Sequence, residues 1–300
     1  MKNIFVSTII IVLITSGLYA QDVKFGFRGG MNLPNIMAGG SNTPVSEGYK
    51  SRMATGAGIF TELKINQTVS FRFGVEYSGM GGKKDGMQAM PTQRLITEMI
   101  NQMGSSLMVG LTPEQEMALG GMMMLPQSMP YYYANIKNTV KLDYIMVPIL
   151  VQLGWNIGQS PFNVYVNAGP FVSFLLSAKQ VSEGISPLYT DESGSYTLWQ
   201  AMAMAMPPEV TGLIESTFPE MKIALNDPVK FGETNVTGEM KSANFGITGN
   251  VGIRYQHKRS CFFIEGGGNY GFITVQQEDI SGSNRLGAGS VMVGYSYSMF

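Results

Sequence analysis

The chain has 300 residues, with 20 basic and 21 acidic side chains and a net charge of −1. So even a balance excludes a polyanion held by bulk charge, and nucleic acid is not an expected partner. Charged residues make up only 14%, against roughly 25% in an average soluble domain, while 37 glycines and 11% aromatics suit a sheet protein that is apolar outside and tightly packed inside.

Residues 1–20 read as a removable secretory signal. Lys2 is the positive start, Ile4 to Leu13 the apolar run, and Leu18-Tyr19-Ala20 offers a small residue before a cut at Gln21. The mature domain then runs over 21–300. No later stretch is long and apolar enough for a transmembrane helix. If the mature chain lies in a membrane it must be a barrel, because only helices and closed barrels satisfy every backbone group in lipid.

The first alternating segment is Val23 to Asn32, with Val23, Phe25, Phe27 and Met31 opposite Lys24 and Arg28. Met53 to Ile65 follows, with Ile59, Leu63 and Ile65 against Glu62 and Lys64. In Val69 to Gly79 the alternation is cleanest: Val69, Phe71, Phe73, Val75 and Tyr77 face one way, Ser70, Arg72, Gly74, Glu76 and Ser78 the other. The fourth segment, Val140 to Asn156, breaks phase. Leu142 and Tyr144 are even, Ile149, Val151, Leu153 and Trp155 odd, and a bulge near Pro148 is expected to reconcile them. Phe162 to Lys179, Asn244 to Tyr255, Cys261 to Phe272 and Ser290 to Phe300 complete eight segments.

The connections alternate strictly. Asn66–Thr68, Ile157–Pro161 and Gln256–Ser260 are tight; Leu33–Arg52, Gly81–Thr139, Gln180–Ala243 and Thr274–Gly289 are long. A soluble sandwich has no reason to sort loops by parity, whereas an outer-membrane barrel puts short turns at the periplasmic rim and long loops outside. The fold expected is all-β: an eight-stranded antiparallel up-and-down transmembrane β-barrel with partly helical extracellular loops, in the outer membrane of a Gram-negative cell and bathed in its lipid.

The secretory start, Leu142-Asp143-Tyr144-Ile145-Met146-Val147-Pro148-Ile149, Tyr165-Val166-Asn167-Ala168-Gly169-Pro170 with Leu176-Ser177-Ala178-Lys179, and the ending Gly294-Tyr295-Ser296-Tyr297-Ser298-Met299-Phe300 resemble the PorT-like outer-membrane β-barrel proteins of Bacteroidetes. The resemblance covers the strands and not the two large loops. It implies an eight-stranded outer-membrane barrel, in a family whose founding member is tied to secretion of proteins to the cell surface. Phe300 departs from the pattern: a terminal phenylalanine belongs to the outward set, yet it is out of phase with Val293, Tyr295 and Tyr297.

Three groups of residues are candidates for function. Lys24, Arg28, Glu62, Lys64, Arg72, Glu76, Lys141, Asp143, Arg254 and Glu265 are expected to face the lumen. An eight-stranded bore is just wide enough for side chains to fill, so these charges must pair, as a plug or as the lining of a small-solute channel. Methionine forms the second group: Gly81–Thr139 holds ten of the 23 methionines. Leu95, Met99 and Met103 fall on one face of a helix starting near Pro91, and Thr112-Pro113-Glu114-Gln115 caps a second helix toward Met122, Met123 and Met124. Tyr196–Met206, carrying Met202, Met204 and Met206, and Pro207–Thr217 read as a further helical pair. These faces suit packing or docking of a protein partner better than copper, since no histidine or cysteine accompanies them. Third, Tyr131–Tyr133, Tyr144, Trp155 and Tyr270 fit aromatic girdles. Gly266–Gly271 matches G-x-G-x-x-G but opens no helix, which excludes a nucleotide site. His257 is the single histidine, so no histidine triad or multi-histidine zinc site is available. The reading is a non-enzymatic barrel without metal or cofactor, whose external loops dock a partner; the alternative is a solute channel.

Overall fold

The computed structural model describes residues 22–38, 43–92, 112–113, 129–217, 229–278 and 282–299. The sequence-predicted signal 1–20, the predicted helix near Leu95–Met103, all but the first two residues of the one predicted over Thr112–Met124, and Phe300 lie outside these.

Eight strands close into a ring. They are β1 (Asp22–Ala38), β2 (Ala54–Lys64), β3 (Val69–Pro91), β4 (Tyr131–Asn156), β5 (Phe162–Glu183), β9 (Ala243–His257), β10 (Ser260–Gly271) and β11 (Asn284–Ser298). Each pairs antiparallel with the next, and β1 pairs with β11 from Lys24↔Ser298 to Ala38↔Asn284, which shuts the sheet and leaves no edge along the membrane-spanning part. The minor strands β6 (Ile185–Ser186), β7 (Val229–Lys230) and β8 (Glu233–Asn235) belong to the external part.

Alternation decides which side chain meets lipid. Phe25, Phe27, Ile59, Phe71, Val75, Val147, Ile149, Val151, Val166, Val172, Phe174, Ile247, Val251, Ile264, Val291 and Val293 are exposed on the outer surface. In water such a belt would be an aggregation surface; in hydrocarbon it is the face that belongs there. At the short-turn rim it ends in aromatic contacts, Phe162–Tyr255 at 5.3 Å and Phe262–Tyr295 at 5.1 Å between ring centres, beside exposed Trp155.

Two expectations are corrected on β4. The strand does not change phase at Pro148. Every even residue from Tyr132 to Gln152 faces inward, and the β3–β4 register is unshifted on both sides of Pro148, where pairing only lapses between Phe73↔Ile149 and Glu76↔Met146. Proline simply lacks a donor there. Leu142 and Tyr144 look like a phase break because the lumen is apolar at their level. The irregularity sits across the ladder, on β5, where Asp143 pairs with Ser177 but Tyr144 with Leu175, leaving Leu176 bulged. Before the bulge Phe171 and Ser173 face inward; after it Ala178 and Ser182 do. Of the tyrosines expected in girdles, Tyr132 and Tyr144 are buried inside, and Tyr131 and Tyr133 stand beyond the membrane.

Crossing hydrocarbon takes about 9–11 tilted strand residues. With 23, 26 and 22 residues, β3, β4 and β5 continue far past the long-loop rim as a wall. The two ends of the predicted loop between Gly81 and Thr139 are therefore strand, up to Pro91 and from Tyr131. Its alternation is hidden in the sequence because both faces turn polar, with Lys83 and Asp85 outside and Lys84 and Gln88 inside. Gly81 holds a positive φ (+122°) in β3, and a Cβ there would lie 2.0 Å from the Val140 carbonyl oxygen. On the wall sits the helical pair, α1 (Leu198–Ala205) and α2 (Pro208–Thr217). α1 starts at a capping box in which Thr197 accepts from the Gln200 amide and Gln200 accepts from the Thr197 amide.

Gly81→Ala should destabilise the barrel by on the order of 1–3 kcal/mol, the usual cost of forcing a side chain into such a conformation. Urea unfolding in phospholipid vesicles measures it; an unchanged midpoint would show that β3 does not depend on a glycine here.

Candidate functional site

The charged interior forms between the short-turn rim and mid-barrel. Phe60, Tyr165 and Phe263 point inward on three different strands, and each ring leans over a glycine of a neighbouring strand. A Cβ on Gly26, Gly252 or Gly294 would come within 2.4, 2.5 or 2.2 Å of the respective ring. Into the space among these rings goes the Arg72 guanidinium, 4.4 Å from the centre of Phe60, 5.4 Å from Phe263 and 5.5 Å from Tyr165. Aromatic faces favour a cation when water is excluded.

The carboxylates complete the arrangement. Arg72 donates to Glu265 at 2.9 Å and lies 3.8 Å from Glu62. Arg28 bonds Glu265 and, at 2.7 Å, Glu76. Arg254 donates to Glu62 at 3.1 Å and stands over the Tyr165 ring, 4.4 Å from its centre. The order Arg254–Glu62–Arg72–Glu265–Arg28–Glu76 alternates in sign, and all six residues are buried. Tyr165 donates to Glu265 at 2.6 Å, Gln152 to Ser70 at 3.0 Å, and Lys24 to Gln256 at 3.4 Å nearer the rim. Charges this deep are tolerable only because each is paired and hydrogen-bonded.

The remaining predicted lumen charges lie elsewhere. Lys64 is half-buried beside a short turn. Lys141 and Asp143 are not in the lumen at all: they are odd residues of β4 and face outward, where Asp143 accepts from Tyr77 at 2.5 Å and from Ser177 at 2.7 Å. Placing them in the lumen requires a phase break that does not occur. Phe60, Tyr165 and Phe263 are lumen residues that sequence reasoning misses. Their parity matches the charges, but the glycine that receives each ring is known only from the register.

Above the charges the bore stays filled. Asn250 donates to Asn167 at 2.9 Å, and Asn32 to Ser78 at 3.2 Å. A cavity of about 20 Å3 follows, lined in part by Ser78, Ser173, Asn244 and Asn269, with room for roughly one water. Next comes an apolar layer of Ile36, Met80, Leu142, Tyr144, Val236, Val275 and Leu286. Over it, Asn284 donates to the Ser46 carbonyl at 2.7 Å, and Gln276 to Asn284 at 2.7 Å, tying the first and last long loops together. Tyr49 in that first loop is half-buried against this layer, and its burial pushes the phenol upward. On the wall, Leu198, Trp199 and Met202 of α1 and Ile214 of α2 pack against Tyr132, Ala134 and Ile136. Met206 packs at the edge of this cluster, whereas Met204 is exposed. Among the described residues no group of metal-ligating side chains gathers.

A closed barrel of this size, greasy outside and with paired charges buried inside, defines an outer-membrane β-barrel protein. Residues 19–277 match the outer membrane protein beta-barrel domain, and the chain belongs to that family. It resides in the outer membrane. No curated protein matches it. Among solved structures it is similar to Neisserial surface protein A (11% identity, 91% of this chain and 96% of that one, TM-score 0.36). It is also similar to the outer membrane protein OprG from Pseudomonas aeruginosa (10%, 92% and 95%, 0.33) and to a major outer membrane protein from Thermus thermophilus (11%, 92% and 99%, 0.37).

Arg72→Met should cost about 3–5 kcal/mol, because Glu265 and Glu62 lose a buried partner. Arg72→Met combined with Glu265→Gln should cost less than the two single changes summed, since each removes the other's orphan. Unfolding midpoints of the three variants in vesicles decide this; strict additivity would mean that the two charges do not act as a pair.

Proposed function

We propose that this is a non-conducting, non-enzymatic barrel of structural or accessory kind, whose external superstructure docks a protein partner in secretion or surface assembly. The supporting observation is where the chain invests its structure. The bore is filled from the ion pairs up to the tied loops, while three strands reach about twice their membrane-crossing length or more to carry a helical pair. On that superstructure Met204, Tyr196 and Ile185 are exposed at 69%, 49% and 65%, above the lipid belt. Large apolar side chains at that height favour a protein contact. Methionine suits such a surface because it adapts its shape. The resemblance to PorT-like proteins supports the secretion setting. His257, the single histidine, lies at the β9–β10 turn on the opposite rim and belongs to none of the buried ion pairs, which favours the non-enzymatic reading.

Replacing residues 92–129 by a short turn should leave a barrel that still migrates differently with and without boiling, since Pro91 and Tyr131 are already register partners. The partner that co-purifies with the full chain from native outer membranes should then be lost. A partner retained by the deletion would exclude that loop. In planar bilayers the full chain should give no conductance steps, and steady single-channel openings would favour solute transport instead.

A further inference from the structure

The first long loop, residues 43–53, lies on the apolar layer at the barrel mouth, with Tyr49 packed against that layer. It is fastened on two sides. Toward the last long loop, Ser46 accepts from the Ser283 amide at 2.9 Å and from the Asn284 side chain at 2.7 Å. Toward the wall, Lys84 of β3 reaches inward, donates to the Val45 carbonyl at 2.6 Å and stands 4.2 Å from the centre of the Tyr49 ring. Backbone bonds of 2.8 and 2.9 Å between Lys50 and Lys83 run beside this contact.

The fastening on the wall holds a cation out of water. Lys84 is only 8% exposed, and its three donors meet one acceptor. Among the described residues it enters no ion pair. Glu47 of the same loop is exposed and favours the charge from a distance. No other charged group among the described residues faces it. Its register partner on β4 is Asn138, followed on β5 by Ser182, both buried and neutral, and the buried Oδ1 of Asn138 accepts no bond. Lys83 and Asp85 beside it on β3 turn to the outer face. A buried cation without a counter-charge favours its neutral form. Burial accordingly lowers the Lys84 ammonium from 10.5 to about 8, with Glu47 opposing.

We propose that the first external loop is a strap over the barrel mouth whose grip is set by the protonation of Lys84 and tightens as pH rises. Lifting the loop returns the ammonium to water and to its ordinary range. The lifted state then binds a proton that the closed state has already shed, so between about pH 8 and about pH 10.5 the closed strap gains on the lifted one. Below that window both states carry the charge and the balance is level. The bond to Val45 survives the loss of the proton, because a neutral amine still donates; what disappears is the cost of holding a charge out of water.

Limited trypsin digestion of the full barrel in neutral detergent reads the lifted state through cleavage after Lys50. The rate at each pH is divided by that of a free peptide of residues 43–56, and at low protease it tracks the lifted population. From about pH 7 to about pH 9 the corrected rate should fall on the order of tenfold. Lys84→Met keeps the stem and has no proton to lose, so it should show no such fall. Lys83→Gln, on the outer face beside it, should keep the fall. Heat-modifiable migration shows that each variant is folded. A corrected rate that stays level in the intact chain, or that falls equally in Lys84→Met, overturns the strap. A rate that rises with pH means that the charge itself holds the loop through Tyr49, and overturns it as well.

Discussion

One buried cation governs the membrane part of this protein. Arg72 cannot lose its charge, and the bore of an eight-stranded barrel has no bulk water to hydrate it. The surroundings must supply everything water would. Glu265 and Glu62 provide the opposite charge, and Phe60, Phe263 and Tyr165 provide polarisable faces. Those carboxylates need further cations, which brings in Arg28 and Arg254; Arg28 in turn fixes Glu76. The glycines under the three rings follow from the same demand, because the rings reach the guanidinium only if the neighbouring strand leaves the space open.

The exterior answers to a different solvent. Within the hydrocarbon each strand needs only apolar side chains outward, and shape matters little. Beyond it, β3, β4 and β5 become a wall wet on one side, and packing against α1 and α2 takes over from lipid as the reason for burying Tyr132, Ala134 and Ile136. The molecule thus has a charged core in its membrane part and an apolar core in its water-exposed part, the reverse of ordinary expectation. In both places the polarity of the interior is set opposite to what the outside offers.

This inversion decides how much can be read from the sequence. Alternation in Val69–Gly79 and its sister segments shows the membrane strands, because lipid and lumen impose opposite polarities on odd and even residues. Loop parity gives closure and orientation. Arg28, Glu62, Arg72, Glu76, Arg254 and Glu265 are readable as inward because they interrupt apolar runs. The same rule fails at Leu142 and Tyr144, where the interior has turned apolar, and it sends Lys141 and Asp143 to the wrong side. It also fails along Lys83–Gln88, where neither face is apolar. The bulge at Leu176 leaves no mark of its own, since register belongs to two strands at once.

Glu265 lies on β10 and bonds Arg28 of β1 and Arg72 of β3, residues 237 and 193 positions away in the chain. Its second consequence concerns time rather than space. Until the penultimate strand arrives, three arginines must stay clear of the hydrocarbon with too few carboxylates to meet them. Contacts of such sequence separation form late and together. The network therefore ties the first strands to the last: the three arginines meet three carboxylates only when β1, β2, β3, β9 and β10 stand together in the closed ring.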